Sequence, residues 1–125
     1  MAITHTRAKR KATGGRYIAY RGKRKFELAS NPTFTVIGKK KSVQVRTIGK
    51  NFKFRLLRAS EANLYDPKAK TYSKAVIKTV LENAANRHYA RRGILTKGTI
   101  VETDKGKARI VNSPGQENTI NAVLI

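Results

Sequence analysis

The chain of 125 residues carries 28 lysine and arginine residues against seven acidic ones, which gives a formal net charge of +21. This length fits one domain, and the charge predicts a partner that is rich in phosphate, such as RNA or DNA. Without cysteine the chain has no disulfide, no thiol nucleophile and no cysteine-ligated zinc, and no apolar run approaches the roughly 18 residues of a membrane-spanning helix.

The first 30 residues are predicted to form a basic arm that binds nucleic acid. They contain nine basic side chains and one acid, and their few large apolar residues show no helical or strand period. Such a segment cannot bury enough apolar surface to offset the entropy of ordering, so we expect it to be disordered until it meets dense negative charge. Tyr17 and Tyr20 either stack on unpaired bases or dock the arm onto the body. The predicted RNA contacts of the arm are Arg7, Lys9, Arg10, Lys11, Arg16, Tyr17, Tyr20, Arg21, Lys23, Arg24 and Lys25.

The folded body is predicted to span residues 31–125 and to begin with short strands. The patterning predicts three successive strands, over residues 33–37, 42–48 and 52–56. Apolar and cationic residues alternate in the third strand, so Phe52 and Phe54 are expected to point inward. The outward cations are expected to form one basic face on these strands. The predicted RNA contacts of this region, with its basic loop, are Lys39, Lys40, Lys41, Arg46, Lys53 and Arg55.

Residues 74–90 allow two interpretations. The apolar residues fall on one face of a helix, and this period slightly favours helix. The same stretch also alternates as a strand with one apolar face, and its β-branched residues Val76, Ile77, Thr79 and Val80 favour strand. The residues alone leave both possibilities open.

A second dense basic cluster follows at residues 86–93. His88 lies among arginines without a second histidine or a carboxylate nearby in sequence, so we expect it to stack on a base or to bond a phosphate. The predicted RNA contacts here are Arg87, His88, Tyr89, Arg91, Arg92 and, just beyond the cluster, Lys97.

The other segments of the body are predicted to be short strands separated by turns. Strands are predicted over residues 61–65, 99–103, 107–112 and 120–125, with a type II turn over residues 113–116. Short strands at intervals of about 8–12 residues are typical of an all-β barrel or sandwich. In a small barrel the last strand is expected to pair with an early one.

The sequence offers no catalytic or cofactor-binding constellation. The acidic residues are scattered, and only Glu102 and Asp104 lie close together, whereas a divalent-metal nuclease needs clustered carboxylates. No glycine-rich phosphate loop with the required lysine spacing is present. We therefore predict that the chain is not an enzyme and holds no metal and no cofactor.

Three blocks of sequence carry a resemblance to a known family. The first is Lys9-Arg10-Lys11-Ala12-Thr13-Gly14-Gly15 followed by Tyr20-Arg21 and Lys23-Arg24-Lys25-Phe26-Glu27-Leu28. The second is Asn86-Arg87-His88-Tyr89-Ala90-Arg91-Arg92 with residues 94–98, and the third comprises residues 107–111, 113–116 and 121–124. Together they resemble the archaeal and eukaryotic family of ribosomal protein eight of the small subunit, the "e" type of that number. Ala29 and Gly22 depart from its pattern.

The resemblance implies a mainly β fold with an N-terminal arm. The implied body is a small closed β-barrel of short antiparallel strands, and the implied arm is extended, basic and threaded into small-subunit ribosomal RNA. Within the ambiguous segment, the family implies a strand over residues 74–83 and a helical turn or loop over residues 84–90.

Composition and resemblance together predict a structural constituent of the small ribosomal subunit in the cytoplasm. Its cations would neutralise phosphates so that RNA helices pack closely, and its arm would fold on the RNA. The expected partners are small-subunit ribosomal RNA and neighbouring small-subunit ribosomal proteins, without a membrane and without a second copy of the chain. A ribosome-assembly factor and a general nucleic-acid-coating protein, as in chromatin, are the alternatives.

Overall fold

The computed structural model describes residues 7–125, and the chain divides into two compact units, Met1–Pro32 and Thr33–Ile125. Residues 1–6 of the predicted arm, with His5, lie outside the described residues. Within the described part, no helix is long and apolar enough to cross a membrane.

The first unit contains two pieces of local structure. The backbone turns back on itself between Arg10 and Arg16, which form an antiparallel bridge. Gly14 occupies the left-handed region at φ +84° inside this turn, a conformation that favours glycine. Further along, a short 3-10 helix spans Lys25–Glu27. That this segment is disordered without a partner stays a prediction.

The second unit is mainly β, which confirms the prediction of a mainly β fold. Its strands are β1 (Thr35–Val36), β2 (Lys41–Arg46), β3 (Phe52–Arg58), β4 (Glu61–Asp66), β5 (Thr71–Glu82), β6 (Ile94–Leu95), β7 (Ile100–Thr103), β8 (Gly106–Ile110) and β9 (Asn121–Leu124). Its two short α-helices are α1 (Arg87–Arg91) and α2 (Pro114–Glu117), and a 3-10 helix spans Ile48–Lys50 between β2 and β3.

Five strands close into a barrel in the order β4-β5-β7-β8-β9. The last strand pairs with an early one, β4, as predicted, but this pair is parallel, with Leu64 opposite Ala122. The prediction of antiparallel strands throughout is therefore wrong at this seam. The other neighbouring pairs are antiparallel, and five strands that alternate in direction cannot close a ring without one parallel pair.

Small and large apolar side chains fill the barrel interior. Along β4, Ala62 and Leu64 point inward, and along β5, Ala75 and Ile77 do the same. Small barrels are often filled by a mixture of small and large side chains, and Val101 of β7 lies opposite Ala108 of β8. Leu56 of β3 is fully buried and extends the same apolar cluster beyond the barrel.

Strand β5 confirms the strand interpretation of the ambiguous segment. The single apolar face predicted for this strand is not buried along its whole length, however. Its register with β7 shifts twice, between Ile77 and Thr79 and between Val80 and Glu82. Such irregularities re-aim side chains, so Ile77 is buried whereas Thr79 is exposed. These shifts interrupt the regular alternation of buried and exposed residues, which is why the apolar residues of this segment also fit one face of a helix. The basic cluster beyond β5 forms the helical turn α1, as expected.

Helix α2 replaces the type II turn that was predicted over residues 113–116. Pro114 occupies its first turn, where a missing N–H removes no hydrogen bond, and Asn118 ends it in the left-handed conformation. Gly115 packs closely on Thr33, since a Cβ atom built on it would lie 3.1 Å from the Thr33 Cβ. The prediction was wrong because proline and glycine fit the start of a helix as well as a turn.

The remaining strands form a four-stranded sheet in the order β2-β3-β1-β6. The described register joins β1 to β3 at one position, Val36 opposite Arg58, and β1 is antiparallel to β6. Because β1 is so short, most of the β2–β3 hairpin extends beyond it. This hairpin, residues 41–58, is called the ribbon below.

Candidate nucleic-acid interface

Charge is divided unequally within the second unit. Residues 33–58 and 87–97, which form the four-stranded sheet and α1, contain twelve basic residues and no acidic one. Residues 59–86 and 98–125, which form the barrel and its connections, contain seven basic and six acidic residues. A solvated protein surface mixes both signs, so the sheet with α1 has the composition of a phosphate-binding surface and the barrel does not.

The turn in the first unit presents basic side chains around a compact backbone. The Lys11 N–H donates to the Gly15 carbonyl oxygen (2.8 Å), and the Gly14 N–H donates to that of Lys11 (3.0 Å). The Arg10 guanidinium adds a bond to the Gly14 carbonyl (2.9 Å). This turn fixes the direction of the exposed cations Lys9, Arg10, Lys11 and Arg16.

Tyr17 lies against cations of the same unit. The guanidinium carbon of Arg7 lies 3.9 Å from the centre of the Tyr17 ring, and the Lys11 ammonium lies 5.6 Å from it. These are cation–π contacts, which attract a cation to the electron-rich face of the ring. Tyr20 is exposed, and its hydroxyl accepts a hydrogen bond from the Arg21 Nε (2.8 Å). Base stacking by either tyrosine stays a prediction.

Arg21 and Glu27 form an ion pair that organises the end of the first unit. The guanidinium donates two hydrogen bonds to the carboxylate, at 2.5 and 3.0 Å, and the Arg24 N–H donates a third (3.0 Å). These bonds, the Arg21 bonds first, lower the pKa of Glu27 from 4.5 to about 2. The same pairing raises the pKa of Arg21 above its ordinary value. Lys23, Lys25 and Arg24 surround this pair in sequence and are exposed.

The ribbon register separates cations that were expected on one face. Lys53 lies opposite Val45 and Arg55 opposite Val43, whereas Arg46 lies opposite Phe52. Residues directly opposite one another share a face of the sheet, so Arg46 is on the other face from Lys53 and Arg55. The prediction of a single face for these three is wrong because the turn between β2 and β3 sets the register, and the alternation in each strand alone does not.

Phe52 and Phe54 do not point into a core, which corrects a second expectation. Their side chains are 54% and 46% exposed, while Leu56, two residues further along the same face, is fully buried. Alternation predicted their common face correctly, but no element of the second unit covers that face beyond Leu56.

Helix α1 holds the second basic cluster against the sheet through aromatic contacts. The Asn86 side chain caps the helix by accepting the His88 N–H (2.9 Å). The partly buried Tyr89 ring meets Phe34 edge-on at 5.6 Å, and the Arg92 guanidinium lies 5.6 Å from the centre of Phe34. Tyr89 therefore docks the helix, while the other predicted contacts remain exposed: Arg87, His88, Arg91 and Arg92.

The buried Asn83 fixes both ends of the segment that carries α1. Its Nδ2 donates to the Ile94 carbonyl (3.2 Å), and its Oδ1 accepts from the Thr96 hydroxyl (3.1 Å) and the Ala85 N–H (3.0 Å). After the helix, Gly93 adopts φ +61°, which turns the chain into β6 and favours glycine. One buried amide thus positions the exposed basic cluster.

The remaining predicted contacts lie in exposed loops. Lys39 and Lys40 follow Gly38, whose N–H donates to the Ala59 carbonyl (3.3 Å), and Lys41 begins β2. Lys97 lies in the connection between β6 and β7. Within residues 7–125, no group of three or more side chains is arranged to hold a metal ion.

Comparison with known proteins identifies the family. The sequence model described as Ribosomal protein S8e matches residues 4–125. The chain belongs to this family. The resemblance seen in its sequence blocks is thereby confirmed.

Curated relatives of the S8e-family chain carry the name "Small ribosomal subunit protein eS8". The protein of Methanocorpusculum labreanum is 51% identical over 116 residues, 93% of each chain. That of Picrophilus torridus is 46% identical over 125 residues, all of both chains. That of Sulfolobus acidocaldarius is 52% identical over 117 residues, 93% of this chain and 91% of its own. The assignment to a structural ribosomal protein family confirms that the chain is not an enzyme.

Sequence reasoning missed several features of this S8e-family chain. Lys50 and Arg58 are further cations of the ribbon, and simple counting of basic residues in the hairpin would have found them. A groove of about 650 Å³ on the barrel, which Tyr65 and Tyr72 line, was not foreseen. Their rings lie 4.8 Å apart, and a contact between neighbouring strands of this kind depends on register that the sequence does not state.

Proposed function

We propose that the chain is a structural constituent of the small ribosomal subunit that binds small-subunit ribosomal RNA in the cytoplasm. Its family and the names of its relatives support the ribosomal role. The observation that carries the RNA-binding role is the division of charge, with twelve basic and no acidic residues in the sheet and α1. Neighbouring small-subunit ribosomal proteins are its other expected partners.

The proposed mechanism is neutralisation of phosphate charge. Lysine and arginine side chains that meet phosphates release condensed counterions, and this release drives association. With the phosphates neutralised, RNA segments can approach one another more closely than their charges otherwise allow. Recognition then depends mainly on shape, phosphate and 2′-hydroxyl contacts.

The basic arm, residues 1–30, adds a second set of contacts to those of the body, residues 31–125. Nine basic residues in so short a segment favour RNA binding coupled to ordering of the arm. The turn between Arg10 and Arg16 and the Arg21–Glu27 pair would persist in the complex as local supports. The bound arm would thereby fix the geometry of the RNA around it.

Competition binding tests the proposal against the coating-protein alternative. The full chain is bound to an in-vitro transcript of archaeal small-subunit ribosomal RNA, and duplex DNA of equal nucleotide concentration is added as competitor. We expect the ribosomal RNA to remain bound. Equal affinity for the two polymers would contradict the proposal and favour a general coating protein.

Recovery of the chain in mature small subunits distinguishes a constituent from an assembly factor, which leaves before maturation.

A further inference from the structure

The far end of the ribbon is an apolar surface that no other element of the second unit covers. Phe52 and Phe54 are about half exposed on one face, and Ile48 in the turn is 97% exposed. Exposed apolar groups forgo the free energy that burial supplies. A cluster of them on one small element indicates a surface that contacts a partner.

The register places a cation and an amide beside these rings. Arg46 lies directly opposite Phe52, and Gln44 lies directly opposite Phe54. Directly opposite residues have Cβ atoms about 4.5–5.5 Å apart, so a group that stacks on Phe52 lies within reach of the Arg46 guanidinium. The Cα atoms of the two phenylalanines are about 6.8 Å apart along the strand, since each strand residue rises about 3.4 Å. Each ring therefore has room for a stacking partner of its own.

The charge of the ribbon selects the class of partner. Residues 41–58 contain six basic residues and no acidic one. Six cations without an acid favour an occupant that carries dense negative charge over a protein, whose surface mixes both signs. Phe52 and Phe54 share their face with Arg46. Aromatic rings beside a cation suit single-stranded RNA, whose bases stack on the rings while its phosphates meet the cation. Paired RNA is unsuitable because its base faces are hidden within the helix.

We propose that Phe52 and Phe54 stack on unpaired bases of small-subunit ribosomal RNA while Arg46 contacts an adjacent phosphate. This inference rests on the ribosomal RNA binding proposed above and deepens it by naming the nucleotides and the residues. The bases belong to a loop, a bulge or another unpaired segment. Because every base has a stacking face, the contact tolerates changes of base identity.

Tryptophan reporters test the stacking directly. The chain has no tryptophan, so Phe52→Trp and Phe54→Trp each give a fluorophore at one known position. Tyr72→Trp is the matched control, because Tyr72 is an exposed aromatic residue of the barrel. On titration of the full chain with transcribed small-subunit ribosomal RNA, we expect fluorescence quenching at positions 52 and 54 and little change at position 72.

Affinity measurements supply the second test. The double variant Phe52→Leu/Phe54→Leu keeps apolar side chains but removes the rings, and Tyr72→Leu is its control. We expect the double variant to bind the RNA roughly 5- to 150-fold more weakly for each base that loses its stacking partner. The slope of log K against log salt should not change, because no cation is removed. Thermal unfolding should match that of the unaltered chain, since both rings lie outside the core.

The outcomes separate this inference from the proposed function. If the chain binds the ribosomal RNA but the tryptophans are not quenched and the double leucine variant binds normally, the stacking inference is overturned and the proposed function stands. If quenching requires neighbouring ribosomal proteins and does not occur with RNA alone, a protein covers the ribbon and the inference is overturned. If the unaltered chain does not bind the ribosomal RNA, both proposals fail.

Discussion

Glu27 is an acidic residue whose effect is to order the basic residues around it. Its carboxylate accepts two hydrogen bonds from Arg21 and one from the Arg24 N–H. A lowered carboxyl pKa means that the folded form prefers the charged carboxylate. The resulting stabilisation is complete above the ordinary pKa of 4.5 and is lost as the pH falls through about 2. At neutral pH the pair therefore holds this part of the first unit together.

Removal of Arg21 should release the pKa of Glu27. In Arg21→Ala we expect this pKa to rise from about 2 toward 4.5, because the principal hydrogen bonds to the carboxylate are gone. The measurement is an NMR titration of the Glu27 side-chain carboxyl carbon. Arg16→Ala is the control, since Arg16 also lies in the first unit but is not a partner of Glu27 in the pair. An unchanged pKa of Glu27 in Arg21→Ala would show that Arg21 is not the cause of the lowered value.

Asn83 is the buried polar residue on which the position of α1 depends. Asn83→Ala leaves the Thr96 hydroxyl and the Ile94 carbonyl without this partner, which should lower the free energy of unfolding by about 1–3 kcal/mol. Urea unfolding measures the change. Asn63→Ala is the control, because its side-chain bond to Asn121 is exposed to water, and its effect should be smaller. Equal effects of the two substitutions would show that burial of Asn83 does not matter.

At the scale of elements, the sequence predicts where strands occur, but it does not predict their register or which elements cover them. Alternation located β2 and β3 because each side chain of a strand faces the side opposite to its neighbours. It could not show that Phe54 lies beyond the reach of the core, because alternation does not tell which elements pack over a face of the sheet. It could not place Arg46, because the register comes from the turn. The basic clusters were predictable since charge is visible without any fold.

The ribbon should contribute more to RNA binding than an equally charged part of the barrel. We expect Lys53→Ala/Arg55→Ala to lower the slope of log K against log salt by about 0.7–0.9 for each phosphate contact that is lost. Lys105→Ala/Lys107→Ala removes the same charge near the β7–β8 turn and is the matched control. Filter binding to transcribed small-subunit ribosomal RNA over a range of salt concentrations measures both slopes. Equal slopes would show that net charge alone determines binding.

At the scale of the whole molecule, folding and the proposed RNA binding rest on different residues. The buried apolar cluster lies entirely within residues 33–125 and includes Leu64, Ile77 and Ile110 of the barrel. The barrel is nearly neutral, so its closure brings little charge repulsion. The excess of positive charge lies on the sheet, on α1 and in the arm. This separation explains how a chain with a net charge of +21 can fold around a small core. It also implies that the arm can be removed without loss of the body.

Deletion of residues 1–30 tests that implication. The shortened chain should keep its fold, because the buried cluster is intact, and should bind small-subunit ribosomal RNA more weakly and with a flatter salt dependence. Each lost phosphate contact lowers the slope by about 0.7–0.9, and the deletion removes nine cations. Circular dichroism measures the fold, and filter binding measures the slope. A full-length chain with Lys68→Gln and Lys70→Gln, both in the β4–β5 turn, shows how much the slope changes when two cations are lost from the barrel. An unchanged slope after the deletion would show that the arm does not anchor the protein to RNA, because nine cations in contact with phosphate cannot be lost without releasing fewer counterions.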